Sequence, residues 1–279
     1  MGILLALLSA LAWGVADFSA GLGSRGLGAP RVTVATQTLG LITAGVAVLL
    51  FPGVGPRASA LEWGALSGVG SAVGTLSLYH GLAVGRMTVV ATLSGVLAAV
   101  VPVIVGLALG NTLGLAATLG IAIAIPAILL VSWRPEPHGD LGGAAGVPYG
   151  LLSGLGFGLL FVALDRAGTR SGAWPLIPGQ LISVLLIIPF AARGLRDRAT
   201  AARGPVLLTL TAGILSGTAN LLFLAATGHG ELAIVAVLSA LYPAITVLLA
   251  RAVLSERWSA SQTVGLVAAV LAVILVSVG

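Results

Sequence analysis

The chain has 279 residues, of which 58% are hydrophobic and only 8% are charged, and its formal net charge is +5. A soluble domain carries roughly 25% charged residues, so this chain lacks the polar material to cover a water-facing surface and must be solvated by lipid. All thirteen basic residues are arginines scattered through short connections, which argues against a nucleic-acid surface, and the absence of cysteine excludes disulfides, thiolate nucleophiles and cysteine-based zinc sites.

Turn-forming residues punctuate the chain at the spacing of membrane-spanning helices, which need about 20 mainly apolar residues each. The first apolar run lacks a basic leader and a convincing cleavage site, so we interpret it as a retained helix rather than a signal peptide. Barrel strands do not fit, because the apolar runs do not alternate with period two. The predicted helices are residues 3–22, 31–51, 62–84, 88–109, 113–132, 145–164, 174–192, 206–226, 232–253 and 261–278.

The second half of the chain repeats the first at an offset of 144–145 residues. Gln37 and Gln180 match at an offset of 143, which requires a gap of one or two residues. The sequence therefore predicts one repeat over residues 1–133 and a second over 145–279, joined by 134–144. The other matches are Leu7–Ser9 with Leu151–Ser153, Trp13-Gly14 with Phe157-Gly158, Pro30 with Pro175, Gly68 with Gly213, Ser71 with Ser216, Ser94 with Ser239, Asn111 with Glu256, and Gly120 with Gly265.

Five helices in each repeat is an odd number, so the second half must enter the membrane with the opposite orientation. The predicted fold is therefore an all-α integral membrane protein of ten transmembrane helices in two inverted five-helix repeats. This architecture is common in secondary transporters, whose solute site lies near the bilayer midplane between the halves. A monomer is sufficient to enclose such a site, and the sequence is also compatible with a dimer.

A family resemblance extends over the whole chain and is clearest in two stretches. The first is Trp13–Phe18, and the second runs from Tyr242-Pro243 through Leu254–Arg257 to Gln262 and Gly265. With these motifs the chain resembles the EamA-type, ten-helix members of the drug/metabolite transporter superfamily. The resemblance implies transport of amino acids, metabolites, nucleotide sugars or drugs without fixing which. The chain departs from the family pattern with Ala98 and Asn111, where Pro and Glu are frequent, and with Gln37, where many relatives carry a basic residue.

Asp17 is the one acid well inside a predicted span. A carboxylate at the bilayer centre costs about 2.5–3.5 kcal/mol on insertion scales, so it should face protein or a watery cavity. Ser9, Trp13 and Asp17 share one helix stripe at i, i+4 and i+8. We expect Asp17 to couple transport to protons or to recognise a cationic group, with Trp13 as a stacking wall. A structural carboxylate bonded to a neighbouring helix is the alternative.

Other polar residues inside predicted spans should likewise face protein or a watery cavity. His80 can titrate near neutral pH and is a second candidate for proton coupling, although an aromatic–polar pair at the membrane interface is the competing interpretation. The other expected substrate-binding residues could equally be interhelical hydrogen-bonding groups. They are Gln37 in the second helix, Ser71, Thr75 and Tyr79 in the third, Gln180 in the seventh, Ser216 and Asn220 in the eighth, and Tyr242 in the ninth.

Glycine and proline positions add two local predictions. Gly64/Gly68, Gly70/Gly74 and Gly213/Gly217 have the GxxxG spacing, which indicates tight helix packing. Pro243, after Tyr242, predicts a kink in the ninth helix because proline leaves a backbone carbonyl unpaired.

The sequence predicts a gradient-driven carrier that exports a small-molecule substrate. We expect it to lie in a lipid bilayer, the plasma membrane of a bacterium. Protons are the candidate coupling ion. Neither metal, cofactor nor nucleic acid is expected, and the absence of HExxH, GxSxG and Walker motifs argues against an enzyme. A passive channel or lipid-handling scaffold is the alternative function, and a membrane-embedded enzyme on a lipid-linked substrate is a third.

The arginines predict the orientation. If both termini were cytoplasmic, cytoplasmic loops would hold only Arg57, Arg166 and Arg170, and the opposite face would hold the other ten. The positive-inside rule therefore favours termini outside, whereas relatives are often drawn with cytoplasmic termini.

Overall fold

Long apolar runs become helices in lipid because the backbone there must satisfy its hydrogen bonds internally. A computed structural model describes residues 1–84, 87–132, 143–195, 203–254 and 259–278, and the regular structure in these ranges is α-helical. The helices are α1 (Gly2–Leu27), α2 (Ala29–Leu50), α3 (Ala58–Val84), α4 (Met87–Ala108), α5 (Leu115–Ser132), α6 (Gly143–Ala167), α7 (Leu176–Leu195), α8 (Arg203–Thr227), α9 (Leu232–Ser239), α10 (Tyr242–Leu254) and α11 (Ala260–Val278).

Every predicted membrane segment is helical, and several helices extend past their predicted ends. Helix α1 continues to Leu27 rather than ending near residue 22, because Gly23 is packed against the Thr209 side chain of α8 instead of forming a turn. Within the described ranges, six segments are long and apolar enough to cross a membrane, and shorter apolar helices accompany them. The six are Gly2–Leu27, Ala29–Leu50, Gly146–Ala167, Arg203–Thr227, Leu232–Leu254 and Ala260–Val278.

The predicted ninth helix is broken into α9 and α10. Helix α9 ends at Ser239, the Leu241 amide turns back onto the Leu238 carbonyl at 3.3 Å, and α10 restarts at Tyr242. Pro243 lies in the first turn of α10, where its missing N–H costs no helical bond. The kink predicted at this position is thus confirmed, as a complete interruption of the helix.

Helices of the two halves pack mainly against each other. Helix α3 packs on α6 and α7, while α8 packs on α1 and α2; α4 contacts α6, and α10 contacts α1. Helix α5 lies against α11, and α2 against α7. In the predicted repeat, α1 to α5 correspond in order to α6, α7, α8, the pair α9 with α10, and α11. When each helix is replaced by its counterpart, the same set of helix contacts results.

Glycines bring these helices to backbone contact, which confirms the packing predicted from the GxxxG spacing. A methyl group added at Gly70 of α3 would lie 2.6 Å from the Gly156 carbonyl oxygen of α6. Gly68 faces the Gly179 carbonyl of α7 in the same way, and Gly213 of α8 faces the Leu39 side chain of α2. No side chain larger than hydrogen fits at these crossings without a shift.

One end of the bundle, which carries the first residues of α1, is held together by contacts between loops. We call it the terminal face. The loop before α3 bonds to the loop before α7, from the Val54 amide to the Arg170 oxygen and from the Ala173 amide to the Phe51 oxygen, both at 2.9 Å. Gly2 is packed against the main chain of the loop between α8 and α9. Contacts between these loops close the bundle at this face.

Candidate functional site

A cavity of about 110 Å³ lies between the two halves, near the middle of the helices. Seven helices contribute to it: α1, α2, α3, α4, α6, α8 and α10. The described residues that line it are Trp13, Ala16, Asp17, Ala20, Thr36, Gln37, Ser71, Thr75, Leu78, Ala98, Phe157, Leu160, Phe161, Ala212, Ser216, Asn220 and Tyr242.

Eight of the eleven residues expected from sequence to bind substrate line this cavity: Trp13, Asp17, Gln37, Ser71, Thr75, Ser216, Asn220 and Tyr242. Gln180 lies elsewhere, only 6% exposed, with its amide packed over Gly40 of α2. His80 is exposed near the end of α3, its ring centroid 4.7 Å from that of Tyr149, and does not line the cavity. The side chain of Tyr79 lies outside the described part of the structure.

Asp17 is open to the cavity rather than bonded to a neighbouring helix. Its side chain is exposed although it lies on a helix that crosses the middle of the bundle. Within the described residues, no group donates a hydrogen bond to the carboxylate and no basic side chain pairs with it. A carboxylate at membrane depth without a protein partner needs water, a proton or a bound cation to offset its desolvation.

Aromatic rings close the cavity toward the terminal face. The Trp13 ring centroid lies 5.1 Å from that of Phe161, 6.1 Å from that of Phe223 and 6.4 Å from that of Tyr242. Phe161 and Phe223 stack on each other at 4.5 Å and are 2% and 0% exposed. Trp13 and Tyr242 therefore have one side on the cavity and the other on a packed aromatic layer.

A hydrogen-bonded group lies on the cavity wall formed by α2 and α3 and extends to Ser183 of α7. Gln37 Nε2 donates to Ser71 Oγ at 3.5 Å, and Ser183 Oγ donates to the same oxygen at 3.4 Å. On the α8 wall, Asn220 is 8% exposed and its Oδ1 accepts no hydrogen bond from the described residues. Asn220 thus lines the same cavity as Asp17, while its Oδ1 is itself buried and has no donor among the described residues.

Sequence reasoning missed much of the lining because most of it has no chemical signature. Ala16, Ala20, Ala98 and Ala212 shape the cavity only through their small size. Phe157 was recognised as the repeat counterpart of Trp13 and could have been included on that ground. Phe161 stands 144 residues after Asp17, at the matching repeat position, but as an apolar residue it gave no signal of its own.

A second cavity, of about 400 Å³, lies at the terminal face. It is lined by Gly106, Leu109, Asn111, Asp165, Arg166, Gly230, Glu231 and Leu232. Two cross-loop hydrogen bonds border it: Ala233 N donates to Asn111 Oδ1, and Thr112 N donates to Glu231 Oε1, each at 3.3 Å. No group of three or more His, Cys, Asp and Glu side chains suited to a metal occurs in the part of the chain that the structure describes.

Comparisons with known proteins bear on this geometry. Twenty-seven chains of solved structures match the fold. One, described only as a crystal structure of a protein, superposes with a TM-score of 0.75 at 18% identity, covering 99% of this chain and 98% of that one. No curated protein matches the sequence.

The sequence model of the EamA-like transporter family matches residues 144–278. Together with the apolar helices, this match indicates a multi-pass membrane protein, and the matched family is one of transporters for small solutes. The resemblance predicted from the sequence is thereby confirmed over residues 144–278, which match the model of the EamA-like transporter family.

Proposed function

We propose that the protein is a secondary transporter that carries a small organic solute by alternating access between two inverted five-helix repeats. The observation that supports this most directly is the cavity between the halves, whose one charged lining residue among those described is Asp17. A mid-membrane cavity with few polar groups is where such carriers hold their solute. Residues 1–133 and 145–279 are the proposed repeats, and 134–144 their connection.

The helix contacts support the inverted repeat. Helix pairs such as α3 with α6 and α8 with α1 exchange with each other when the halves are exchanged, while α5 with α11 and α2 with α7 exchange with themselves. An odd number of crossings per half makes the two copies antiparallel. The family match begins at residue 144, next to the predicted start of the second repeat.

The closed terminal face supports alternating access. Toward this face, the aromatic layer of Trp13, Phe161 and Phe223 and the bonded loops block the path. The cavity residues on α1 and α2, among them Asp17 and Gln37, lie on the other side of this layer. In the proposed cycle, release at the terminal face requires the aromatic layer and the loop contacts to separate.

Export follows if the opposite face is cytoplasmic, as the arginine distribution favours. Ten of the thirteen arginines are assigned to that face when the segments alternate in direction. The cavity would then be open to the cytoplasm of a bacterial cell and release its solute outside the plasma membrane.

Proton coupling is assigned to Asp17. A carboxylate open to the cavity can exchange a proton with water on whichever side the cavity faces. His80, the other sequence candidate, has its ring against Tyr149 away from the cavity and takes no part in this proposal.

The test uses purified protein in liposomes. A thermal-shift screen over amino acids, nucleosides and cationic drugs would supply a solute, which is then radiolabelled. A carrier gives saturable uptake that is accelerated by unlabelled solute inside the vesicles, whereas a channel or lipid scaffold gives no such exchange. Absence of exchange for every ligand found would contradict the proposed function.

Two variants separate coupling from transport. Asp17→Asn should retain exchange but lose acceleration by a pH gradient. Glu62→Gln, at an exposed carboxylate near the start of α3 and away from the cavity, should behave as the unmodified protein. A gradient response that survives in Asp17→Asn would remove proton coupling from the proposal.

A further inference from the structure

The charges of the central cavity restrict the solute that it can hold. Asp17 contributes one carboxylate, and no Arg, Lys or His occurs among the described lining residues. On the α2 wall the lining residues, Thr36 and Gln37, are uncharged. A solute carboxylate bound here would meet a like charge and no positive partner, which is unfavourable in a desolvated site.

The carboxylate of the cavity favours a group with several N–H donors. Asp17 is exposed in the cavity and accepts no hydrogen bond from the described residues. An acceptor left without a donor at membrane depth costs free energy, and a ligand that supplies donors recovers it. A primary ammonium group offers three donors and a positive charge, whereas a quaternary ammonium offers the charge alone.

The remaining lining suits an apolar body. Trp13, Phe157 and Tyr242 place aromatic rings around the cavity, and small alanines leave room beside them. Aromatic faces attract both flat apolar groups and cations.

From these features we infer that the transported solute is a primary amine with an apolar, preferably aromatic, body and no carboxylate. The inference rests on the proposed function, since it names the substrate class of the same cavity. Asp17 binds the ammonium group, and the aromatic rings hold the body. Zwitterionic amino acids are discriminated against because their carboxylate has no partner.

The experiment compares four probes of one shape with the full chain in lipid nanodiscs: phenethylamine, phenylalanine, hydrocinnamate and phenethyl alcohol. Phenethylamine should bind at least about tenfold more tightly than each of the others, because only it pairs with Asp17 without adding an unpaired charge. Equal or tighter binding of phenylalanine, hydrocinnamate or the alcohol would overturn the inference, and so would absence of saturable binding by phenethylamine. This comparison needs no variant to fold.

Two variants then locate the selectivity. Asp17→Asn should weaken phenethylamine binding roughly ten- to a hundredfold, as expected for a lost charged hydrogen bond, while Glu62→Gln leaves it unchanged. Gln37→Arg should reverse the order, raising affinity for hydrocinnamate and lowering that for phenethylamine, because it adds the missing positive charge. An unchanged order in a folded Gln37→Arg protein would contradict the inference.

Liposome exchange distinguishes this inference from the proposed function. Carrier-type exchange of an anionic or neutral solute, without preference for amines, leaves the transporter proposal standing and refutes the substrate class. Selective amine binding without exchange of any bound solute does the reverse.

Discussion

Ser9 donates a hydrogen bond from its Oγ to the main-chain oxygen of Ala219, 2.9 Å away, and so ties α1 to α8. Ser153 makes the matching bond to the main-chain oxygen of Gly74, also at 2.9 Å, tying α6 to α3. Ser153 stands 144 residues after Ser9, and Ala219 stands 145 after Gly74. Two donor–acceptor pairs related by one offset are what duplicated halves packed about a shared axis would produce.

The two serine bonds should therefore be of similar strength. Ser9→Ala and Ser153→Ala are each expected to lower the free energy of unfolding by about 0.6–1.7 kcal/mol, the range for interhelical hydrogen bonds in membranes. Ser153→Ala should fall toward the upper end, because Ser153 is also bonded to Ser94 at 2.8 Å. Reversible denaturation in mixed micelles measures both.

Ser277→Ala is the control for this pair. The Ser277 hydroxyl bonds only to the Val273 oxygen one turn earlier on the exposed side of α11, so its loss should change stability little. A cost in Ser9→Ala no larger than in Ser277→Ala would show that the α1–α8 bond does not hold the halves together.

Glycine substitutions should separate packing from helix propensity. Gly70→Ala places a methyl group against the Gly156 oxygen and the Leu160 amide, both 2.6 Å away, so α3 and α6 must move apart. Overpacking of this kind costs about 1–3 kcal/mol. Gly45→Ala, in α2, meets nothing within 4 Å and should be neutral or stabilising. Thermal unfolding of both variants in detergent tests the difference, and equal loss of stability would contradict it.

Sequence reasoning located the helices well because lipid leaves the backbone few alternatives, and GxxxG spacing identifies close contacts directly. It also identified eight of the seventeen lining residues, since polar side chains such as Asp17 and Asn220 in an apolar span have few places to lie. These predictions depend on single residues whose chemistry limits where they can lie: a polar side chain must avoid lipid, and a glycine allows a neighbouring helix to approach.

The positions that the sequence did not predict depend on how each helix is rotated about its axis. The polarity of a side chain does not determine this rotation. Gln37 and Gln180 are matched in the two halves, yet one lines the cavity and the other is packed over Gly40. Phe161 and Phe223 are ordinary apolar residues in sequence, and only tertiary packing makes them a stacked layer beneath Trp13. Gly23 likewise continues a helix because a neighbour fills the space beside it.

The aromatic layer should contribute strongly to the free energy of unfolding, although it consists of only a few side chains. Phe161→Ala removes a ring that is 2% exposed and stacked on Phe223, and such truncations cost about 3–5 kcal/mol. Phe51→Ala, at a ring that is 56% exposed, should cost far less. If denaturation midpoints shift equally in the two variants, the Phe161–Phe223 stack is not a closed layer.

The terminal-face bonds should set how often that face opens. Asn111 Oδ1 accepts from the Ala233 amide, and Glu231 Oε1 accepts from the Thr112 amide, so two loops cap each other. Each bond contributes about 1 kcal/mol, and losing one or both should raise the open population roughly 5- to 30-fold. The variants are Asn111→Ala and Glu231→Ala, singly and together.

A single cysteine can report this opening because the natural chain contains none. Ala226, at the terminal-face end of α8, is 0% exposed, so Ala226→Cys should react slowly with a membrane-impermeant maleimide applied at that face. Adding Asn111→Ala or Glu231→Ala should speed the reaction. The reaction of Ala20→Cys, at a partly exposed cavity position labelled from the opposite face, should slow. Thr118→Val removes a hydrogen bond made within α5 near the same face and should change neither rate. Acceleration at both cysteines together would indicate general loosening rather than an exchange between two closed ends.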